Sequence, residues 1–464
     1  MLKLTQGASG ASIALACGGE LIYEGNKLSS HAVIDSRKAD KGSIFVAIKG
    51  ERTDGHLYIT SAAEKGASAV IAESIPDDIT PLKENGCSLI LVNDSANALA
   101  LLAKKHKSEL DVLTVGVTGS VGKTTTRQYV ASVLSAKFST HKTEGNFNNE
   151  LGLPLTVIGI TDNHEAAVIE MGMGKKGDIS FLSQITMPDI AIITTIGTAH
   201  IEHLGSREGI RDAKLEIKDG LKSGGKLILN GDEPLLSNIN GAIYVSIANK
   251  NSPYRAENIE ATENGMTFDA ICPSRIIMNC QISTLGEHTV HDAMFAVAVG
   301  DILSLTDAQI KLGLSMFEGV GMRQNIKVKN EITYIHDYYN ASPESIRASL
   351  SVTKKLAEEK NGRAVAIIGS VLELGEMSEM LHRQIGSDAY TIGADLLFTF
   401  GSEATFIADE AIKLGMSKDS VRVFEDTSDP KPIAEAVKGS LKSGDCVLIK
   451  ASHGLEMGRI ADLL

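Results

Sequence analysis

The stretch that most limits what this chain can fold into is Val112–Val117, a β-branched run that passes directly into Thr118-Gly-Ser-Val-Gly-Lys-Thr-Thr-Thr126 and a helix starting near Lys123. A strand, a tight glycine turn and a helix N-terminus in that order specify a parallel α/β unit with the turn at the strand's carboxyl end. Backbone N–H groups in such a turn can cradle phosphates. Lys123 supplies a point charge for β- and γ-phosphates and Thr124 a hydroxyl for Mg²⁺, while Thr118, Gly119, Ser120, Val121, Gly122 and Thr125 complete the candidate ATP loop. A strict GxxxxGK[ST] needs glycine where Val117 stands, so this is the shorter GxxGKT form. The plain alternative is a Gly-rich helix cap; strand, lysine and threonine together favour a nucleotide.

A chain of 464 residues accommodates about three domains at roughly 100 to 200 residues each. Residues 1–105 alternate short apolar runs (Ser43–Ile48, Ala69–Ala72, Ser88–Val92) with helical stretches (Ile59–Lys65, Ala96–Lys104) and read as a small α/β domain. Residues 106–324 hold the phosphate loop and further strands at Ala167–Met171, Ile190–Ile196 and Lys226–Leu229, the alternation of a parallel sheet. An antiparallel insert is expected over Glu257–Cys280, turning at Asn264-Gly265. Residues 325–464 restart the pattern as a Rossmann-like α/β domain, with strands at Thr333–His336, Ala364–Ile368, Asp395–Phe400, Val421–Phe424 and Cys446–Ile449. Helices are expected at 343–359, 403–414 and 431–441.

Charge and cysteine usage narrow the function classes. The net charge of −13 is spread along the chain, which argues against a nucleic-acid groove or an anionic membrane surface. Five scattered cysteines without a CxxC give neither a disulfide framework nor a zinc site, and they fit a reducing cytoplasm. The opening MLKLTQGASGAS lacks the apolar core of a leader, and no run reaches the ~18 apolar residues of a membrane span.

Open parallel sheets gather ligands at strand carboxyl ends. Glu170 ends one expected strand and His200 follows the next, so with Thr124 they form a candidate Mg²⁺ set beside the loop; Glu202 and His203 flank it as scaffold. On the expected helix Ser206–Leu221, Lys214 shares a face with Ile210, Ile217 and Leu221. Taken alone, that favours a snorkelling stem with a wet ammonium. The sharper reading is a buried neutral amine able to form a carbamate with CO₂. At this point a P-loop switch or regulatory ATPase remains an open alternative.

Longer motifs bring in a resemblance. The loop, the strand-end residues and Lys214 together resemble the Mur ligases, ATP-dependent enzymes that join an amino acid or dipeptide to a UDP-muramoyl carboxylate. Asp35-Ser-Arg37 with Phe45-Val-Ala-Ile-Lys-Gly-Glu-Arg-Thr-Asp-Gly-His56 is similar to the uridine-nucleotide domain of the member that adds D-alanyl-D-alanine. Thr143-Glu-Gly-Asn-Phe-Asn-Asn-Glu-Leu-Gly-Leu-Pro154 and Ile335-His-Asp-Tyr-Tyr-Asn-Ala-Ser-Pro-Glu-Ser345 resemble two further motifs of that member.

The resemblance implies addition of D-alanyl-D-alanine to UDP-N-acetylmuramoyl-tripeptide through an acyl phosphate, in a monomer, with the third domain closing over the second. Lys123, His200 and a carbamylated Lys214 would serve catalysis; Thr124, Glu170 and His200 would hold Mg²⁺. Arg323 and Asp337 would close on ATP. Ser36, Arg37, Asn146, Asn148, Asn149 and Asn340 would recognise the substrates, although the asparagines equally suit turn chemistry. Asp292 stands where the family shows the Asn of an adenine contact, His453 replaces the Arg of a KGSR pattern, and Ser370-Val371 precede the retained ELGE. The nearest rival is another member of the superfamily, such as a folylpolyglutamate synthase.

Overall fold

The computed structural model describes residues 2, 4–50, 53–262, 265–317, 319 and 324–464. Those residues form three sheets, each mostly parallel. The first has the order Glu20–Tyr23, Ser88–Leu91, Ala69–Ala72, Ser43–Val46, His31–Val33, with the first pair antiparallel. The second runs Arg275–Ile282, Gly265–Cys272, Tyr254–Thr262, Ala242–Ser246, Lys226–Asn230, Ile190–Ile193, Leu113–Thr118, Ala166–Glu170, Thr140–Lys142. Its first three strands are the antiparallel extension expected from the insert, though Asn264 of the expected turn lies outside the described residues. The third runs Asn325–Lys329, Ile332–His336, Cys446–Lys450, Ala364–Gly369, Leu396–Phe400, Val421–Phe424.

The central strands of each sheet are continuous apolar runs because helices cover both faces, which leaves no polar side to alternate with. Ala166–Glu170, Ala364–Gly369 and Cys446–Lys450 are buried at every position. Helix Lys123–Ser135 packs on the central sheet beside Glu287–Ile302, with Tyr129 and Phe317 stacked at 4.0 Å between ring centres.

Helix Ser95–Ser108 carries the chain from the first sheet to the second and packs against Gly152–Ile158. His106 Nε2 pairs with the Ile160 carbonyl at 2.8 Å, and Lys107 is 1% exposed with Nζ donating to Val112 O at 3.4 Å. Burial drops that ammonium to about 8. The polar look of Lys104–Asp111 hides this, since two of its polar side chains face inward.

Two expectations change. The helix expected over Ser206–Leu221 is α-helical only over Arg207–Leu215 and tightens to a 3₁₀ turn at Glu216–Gly220, leaving Leu221 outside it. Helix Ser378–Ile392 was not expected; its buried positions Leu381, Ile385 and Ala389 follow the i, i+4, i+8 rule, but the intervening Gly386, Ser387 and Asp388 weaken the pattern.

Candidate active site

The glycine turn is shaped by close approach rather than by freedom for its own sake. A β-carbon on Gly119, at φ 152°, would sit 1.8 Å from Thr194 Oγ1, and one on Gly122, at φ 86°, 2.6 Å from Asp292 Oδ1. Thr194 and Thr195, just beyond strand Ile190–Ile193, pin the loop: both hydroxyls donate to Val121 O, and Val121 N donates to Thr195 Oγ1 at 3.0 Å. Thr118 Oγ1 donates to Met171 O at 2.9 Å, tying the loop to the strand that carries Glu170. Lys123 Nζ folds over the loop, donating to Gly119 O at 2.8 Å and Ser120 O at 3.3 Å.

The structure brings Thr124 and Glu170 together, with Thr124 Oγ1 donating to Glu170 Oε1 at 3.3 Å. Asn148 Nδ2 donates to the same oxygen at 2.8 Å, and Arg127 Nη1 lies 3.2 Å from Glu170 Oε2. Sequence reasoning missed Arg127. Its signal was an arginine on the inward face of helix Lys123–Ser135, 3% exposed.

His200 and Lys214 complete the group. His200 pairs through Nδ1 with Glu373 Oε2 at 2.6 Å. Burial, more than that carboxylate, sets its charge, so the imidazole is shifted toward neutrality, with Lys123 and Lys214 pushing the same way. Lys214 is 2% exposed, and burial reinforced by the Lys123 charge lowers its ammonium well below the ordinary lysine range. The wet ammonium favoured by periodicity alone is therefore corrected: the short helix buries Lys214 on the same side as Ile210 and Ala213, near enough to feel the Lys123 charge.

Three cavities among the described residues touch this loop, and two of them gather the residues singled out from sequence. One, of ≈ 980 Å³, is lined by Lys123, Thr124, Glu170 and His200, by Asn146, Asn148 and Asn149, and by Tyr339 and Asn340 from beyond the third sheet's strand Ile332–His336. Asn149 Oδ1 also caps helix Gly152–Ile158 by accepting from Gly152 N at 2.9 Å, so turn chemistry and cavity lining coexist. His203, read as scaffold, lines the same cavity. The other, of ≈ 480 Å³, brings Ser120, Val121, Gly122, Lys123, Thr125 and Asp292 opposite Asp337, Asn340 and Lys450. The carboxyl ends of the second and third sheets thus face each other.

Asp292 is buried and accepts from Thr126 Oγ1 at 3.1 Å. Asp337 is held by Lys450 Nζ and Ser349 Oγ, each 2.6 Å from Oδ2. Lys450 opens the motif in which His453 replaces the family's Arg, but its pairing with Asp337 is not readable from sequence, and Ser349 was not singled out. His453 is exposed, its ring 5.8 Å from that of Tyr339. Arg323 lies outside the described residues. Ser36 and Arg37 are not among the residues lining either cavity; they form a turn in the first domain where Arg37, 85% exposed, makes a two-point pair with Asp35.

The donor set suits a hard divalent cation. Among the described residues, Ser120 Oγ and Glu170 Oε2 belong to the buried side-chain atoms without a hydrogen-bond partner, Glu170 Oε2 keeping only its ion-pair contact with Arg127. No group of three or more His, Cys, Asp and Glu side chains converges to hold a metal alone, again among the described residues. A hydroxyl, one carboxylate and an imidazole beside a phosphate loop match the way Mg²⁺ is shared between protein and phosphate oxygens.

Comparison with known proteins agrees over the whole length. Residues 30–107 match the catalytic domain of the Mur ligase family, 117–300 the Mur ligase middle domain, and 322–453 the Mur ligase glutamate ligase domain. The chain is 40% identical over 428 residues, 92% of it and 91% of the relative, to the UDP-N-acetylmuramoyl-tripeptide–D-alanyl-D-alanine ligase of Bacillus subtilis (strain 168). It is 32% identical to the ligase of that name from Escherichia coli (strain K12), over 81% of this chain and 82% of that one. Its structure superposes on MurF from Acinetobacter baumannii with a TM-score of 0.87 at 28% identity, covering 98% of both chains. The MurF ligase of Thermotoga maritima, solved in complex with ADP, gives 0.79 at 29% identity over 93% of this chain and 96% of that one. Folylpolyglutamate synthase from Mycobacterium tuberculosis shares the fold alone, at 17% identity and a TM-score of 0.63 over 79% of this chain and 94% of that one. With the motifs, the strand-end geometry and these full-length matches in agreement, the chain belongs to the Mur ligase family.

Proposed function

We propose that this protein is an ATP-dependent ligase that adds D-alanyl-D-alanine to UDP-N-acetylmuramoyl-tripeptide, giving UDP-N-acetylmuramoyl-pentapeptide for peptidoglycan synthesis. The observation that carries the reading is the ≈ 980 Å³ cavity that joins the phosphate loop, Glu170 and His200 to an asparagine cluster and to Asn340 across the cleft. It does so in a chain 40% identical to a ligase of that name. Residues 1–105 bind the uridine nucleotide through Ser36 and Arg37, residues 106–324 bind ATP, and residues 325–464 close the site.

A carboxylate is a poor electrophile, so the reaction first moves the γ-phosphoryl group onto the tripeptide carboxylate. Lys123 and the loop amides hold the phosphates while charge spreads over the transferring group. Thr124, Glu170 and His200 are the residues that would hold Mg²⁺, which when bound supplies further neutralisation of that charge. Lys214, as a neutral buried amine, adds to CO₂ and releases a proton to become a carbamate, an anion placed beside Lys123. Asn146, Asn148, Asn149 and Asn340 orient the acceptor dipeptide, whose amine attacks the acyl carbon and expels phosphate. No side-chain nucleophile is needed. Asp292 and Asp337 contact ATP from the two sides of the cleft, Arg323 keeps the ATP role that the family resemblance implies, and the two domain faces keep water from the acyl phosphate.

The reaction is assigned to the cytoplasm and to a monomer; no helix among the described residues is long and apolar enough to cross a membrane. The test is phosphate release from ATP and Mg²⁺ with the tripeptide nucleotide, with and without D-alanyl-D-alanine, the product being weighed by mass spectrometry. Release that needs both substrates, with a pentapeptide product, is the expected result. Release independent of the organic substrates would return the protein to the regulatory-ATPase alternative.

A further inference from the structure

Two left-handed residues from different domains face each other at the edge of the site. His200, at φ 64°, follows strand Ile190–Ile193, and Glu373, at φ 63°, lies in the turn after Ala364–Gly369. Neither conformation is one that residues with a β-carbon adopt readily. The side chains meet at 2.6 Å, Nδ1 to Oε2. The backbones meet as well: Glu202 N donates to Glu373 O at 3.4 Å, and a β-carbon on Gly375 would lie 3.0 Å from Glu202 Cγ. Close by, Thr198 Oγ1 donates to Glu344 of the same C-terminal domain at 3.4 Å.

The energy of the pair does not account for this construction. Glu373 is 54% exposed and His200 33%, and ion pairs so open to water add little stability. What the contact does fix is chemistry. An Nδ1–H donated to a carboxylate leaves Nε2 as the ring's acceptor, the arrangement that orients imidazole ligands in metal sites. His200 lines the phosphate-side cavity together with Lys123, Thr124 and Glu170, so the state of its ring bears on that space.

We propose that Glu373 is the positioning residue for His200, so that the set Thr124, Glu170 and His200 is complete only when the C-terminal domain is seated against the central one. The inference rests on the ligase reading and adds to it a coupling: phosphoryl transfer waits for the closure that protects its product from water.

The experiment measures Mn²⁺ binding by electron paramagnetic resonance in the presence of a non-hydrolysable ATP analogue, in wild type, Glu373→Ala, Glu373→Gln, His200→Ala and the double variant Glu373→Ala/His200→Ala. Glu373→Ala is expected to weaken Mn²⁺ binding by about 10- to 100-fold. Glu373→Gln, whose amide oxygen still accepts from Nδ1–H, recovers most of it. Adding Glu373→Ala to His200→Ala changes nothing further, because the carboxylate acts through the ring. Wild-type affinity in Glu373→Ala, an equal loss in both backgrounds, or a glutamine variant as weak as the alanine one would each overturn the proposal. Thermal unfolding identifies a misfolded Glu373→Ala, and Glu373→Gln, alone and on His200→Ala, then carries the test: its residual weakening must vanish once the ring is gone. The ligase reading fails separately, if wild type shows this coupling but releases no phosphate in response to its two organic substrates.

Discussion

On the central side of the cleft, Ser120 Oγ is buried without a hydrogen-bond partner among the described residues, and Glu170 Oε2 has only its ion-pair contact with Arg127 at 3.2 Å. On the C-terminal side, Asp337 accepts from Lys450 and Ser349, and Lys450 Nζ also reaches the carbonyls of Asp337 at 3.2 Å and Asn340 at 3.3 Å. Both faces are strand carboxyl ends of parallel sheets, yet the central one leaves the Ser120 hydroxyl unpartnered beside the phosphate loop while the C-terminal one closes Asp337, Lys450 and Ser349 on one another. A buried polar atom without a partner is costly, and beside a phosphate loop a bound ligand is one way to complete it. On the proposed function, the central face takes the phosphates, and the C-terminal face meets them with Asp337 and Lys450 already paired.

The hardest blow to this contrast falls at Lys123. Lys123→Ala removes the loop's point charge and is expected to lower kcat/KM by on the order of 10³-fold or more, with thermal stability little changed. Phosphate release in the presence of both substrates measures it. Turnover within tenfold of wild type would mean that the receiving face is not where the phosphates sit.

The opposite pattern is expected across the cleft. Lys450→Met strips the partner from a buried carboxylate, Lys450 being 3% exposed and Asp337 12%. Breaking such a pair costs about 3–5 kcal/mol, because the remaining charge is uncompensated. Chemical denaturation should show that loss in the C-terminal domain, and Asp337→Asn/Lys450→Met together should recover part of it. A Lys450→Met protein of wild-type stability but no activity would place Lys450 among the ligand contacts and erase the distinction.

How much of this was legible beforehand follows from sequence distance. The loop, Thr124 and Lys123 are contiguous, so strand, turn and helix announce them. Glu170 and His200 were readable because a parallel sheet must deliver its strand ends to one edge. Asp337 and Lys450 are 113 residues apart, and only the adjacency of strands Ile332–His336 and Cys446–Lys450 joins them. Arg127 was hidden among threonines on a helix face whose inward side depends on which sheet it meets. The burial of Lys214 was half legible: periodicity placed it on the apolar face, but a lysine stem can reach water unless its tertiary surroundings enclose it, and those come from elements distant in sequence.

Lys214 gives the next test. Its folded-state ammonium is weakened by burial, so the unfolded chain binds the proton more tightly than the native one. Stability therefore rises with pH between the lowered value and the ordinary 10.5, at up to ~1.4 kcal/mol per pH unit. Lys214→Met in bicarbonate-free buffer should be more heat-stable than wild type at neutral pH, with the gain shrinking as pH approaches 10.5, while ligation is lost. A gain independent of pH would mean that the amine is not the group paying for its burial.

The smallest expected effect is the sharpest test of a face that waits. Ser120 Oγ is shielded from water and unpartnered, so without ligand the hydroxyl is a liability of about 1 kcal/mol. Replacing it with alanine should leave the unliganded protein slightly more stable. The same change should weaken binding of an ATP analogue by about fivefold, since the hydroxyl finds its partner on the phosphates. Thermal shifts measured with and without analogue separate the two terms, because the variant must gain in one condition and lose in the other. Loss of stability in both would make Ser120 an ordinary structural hydroxyl. Gain in both would move the phosphates away from it. Only a reversal of sign between the two conditions fits an atom buried in readiness for a ligand, and Ser349, already bonded to Asp337 across the cleft, should show none: its alanine variant loses stability whether or not nucleotide is present.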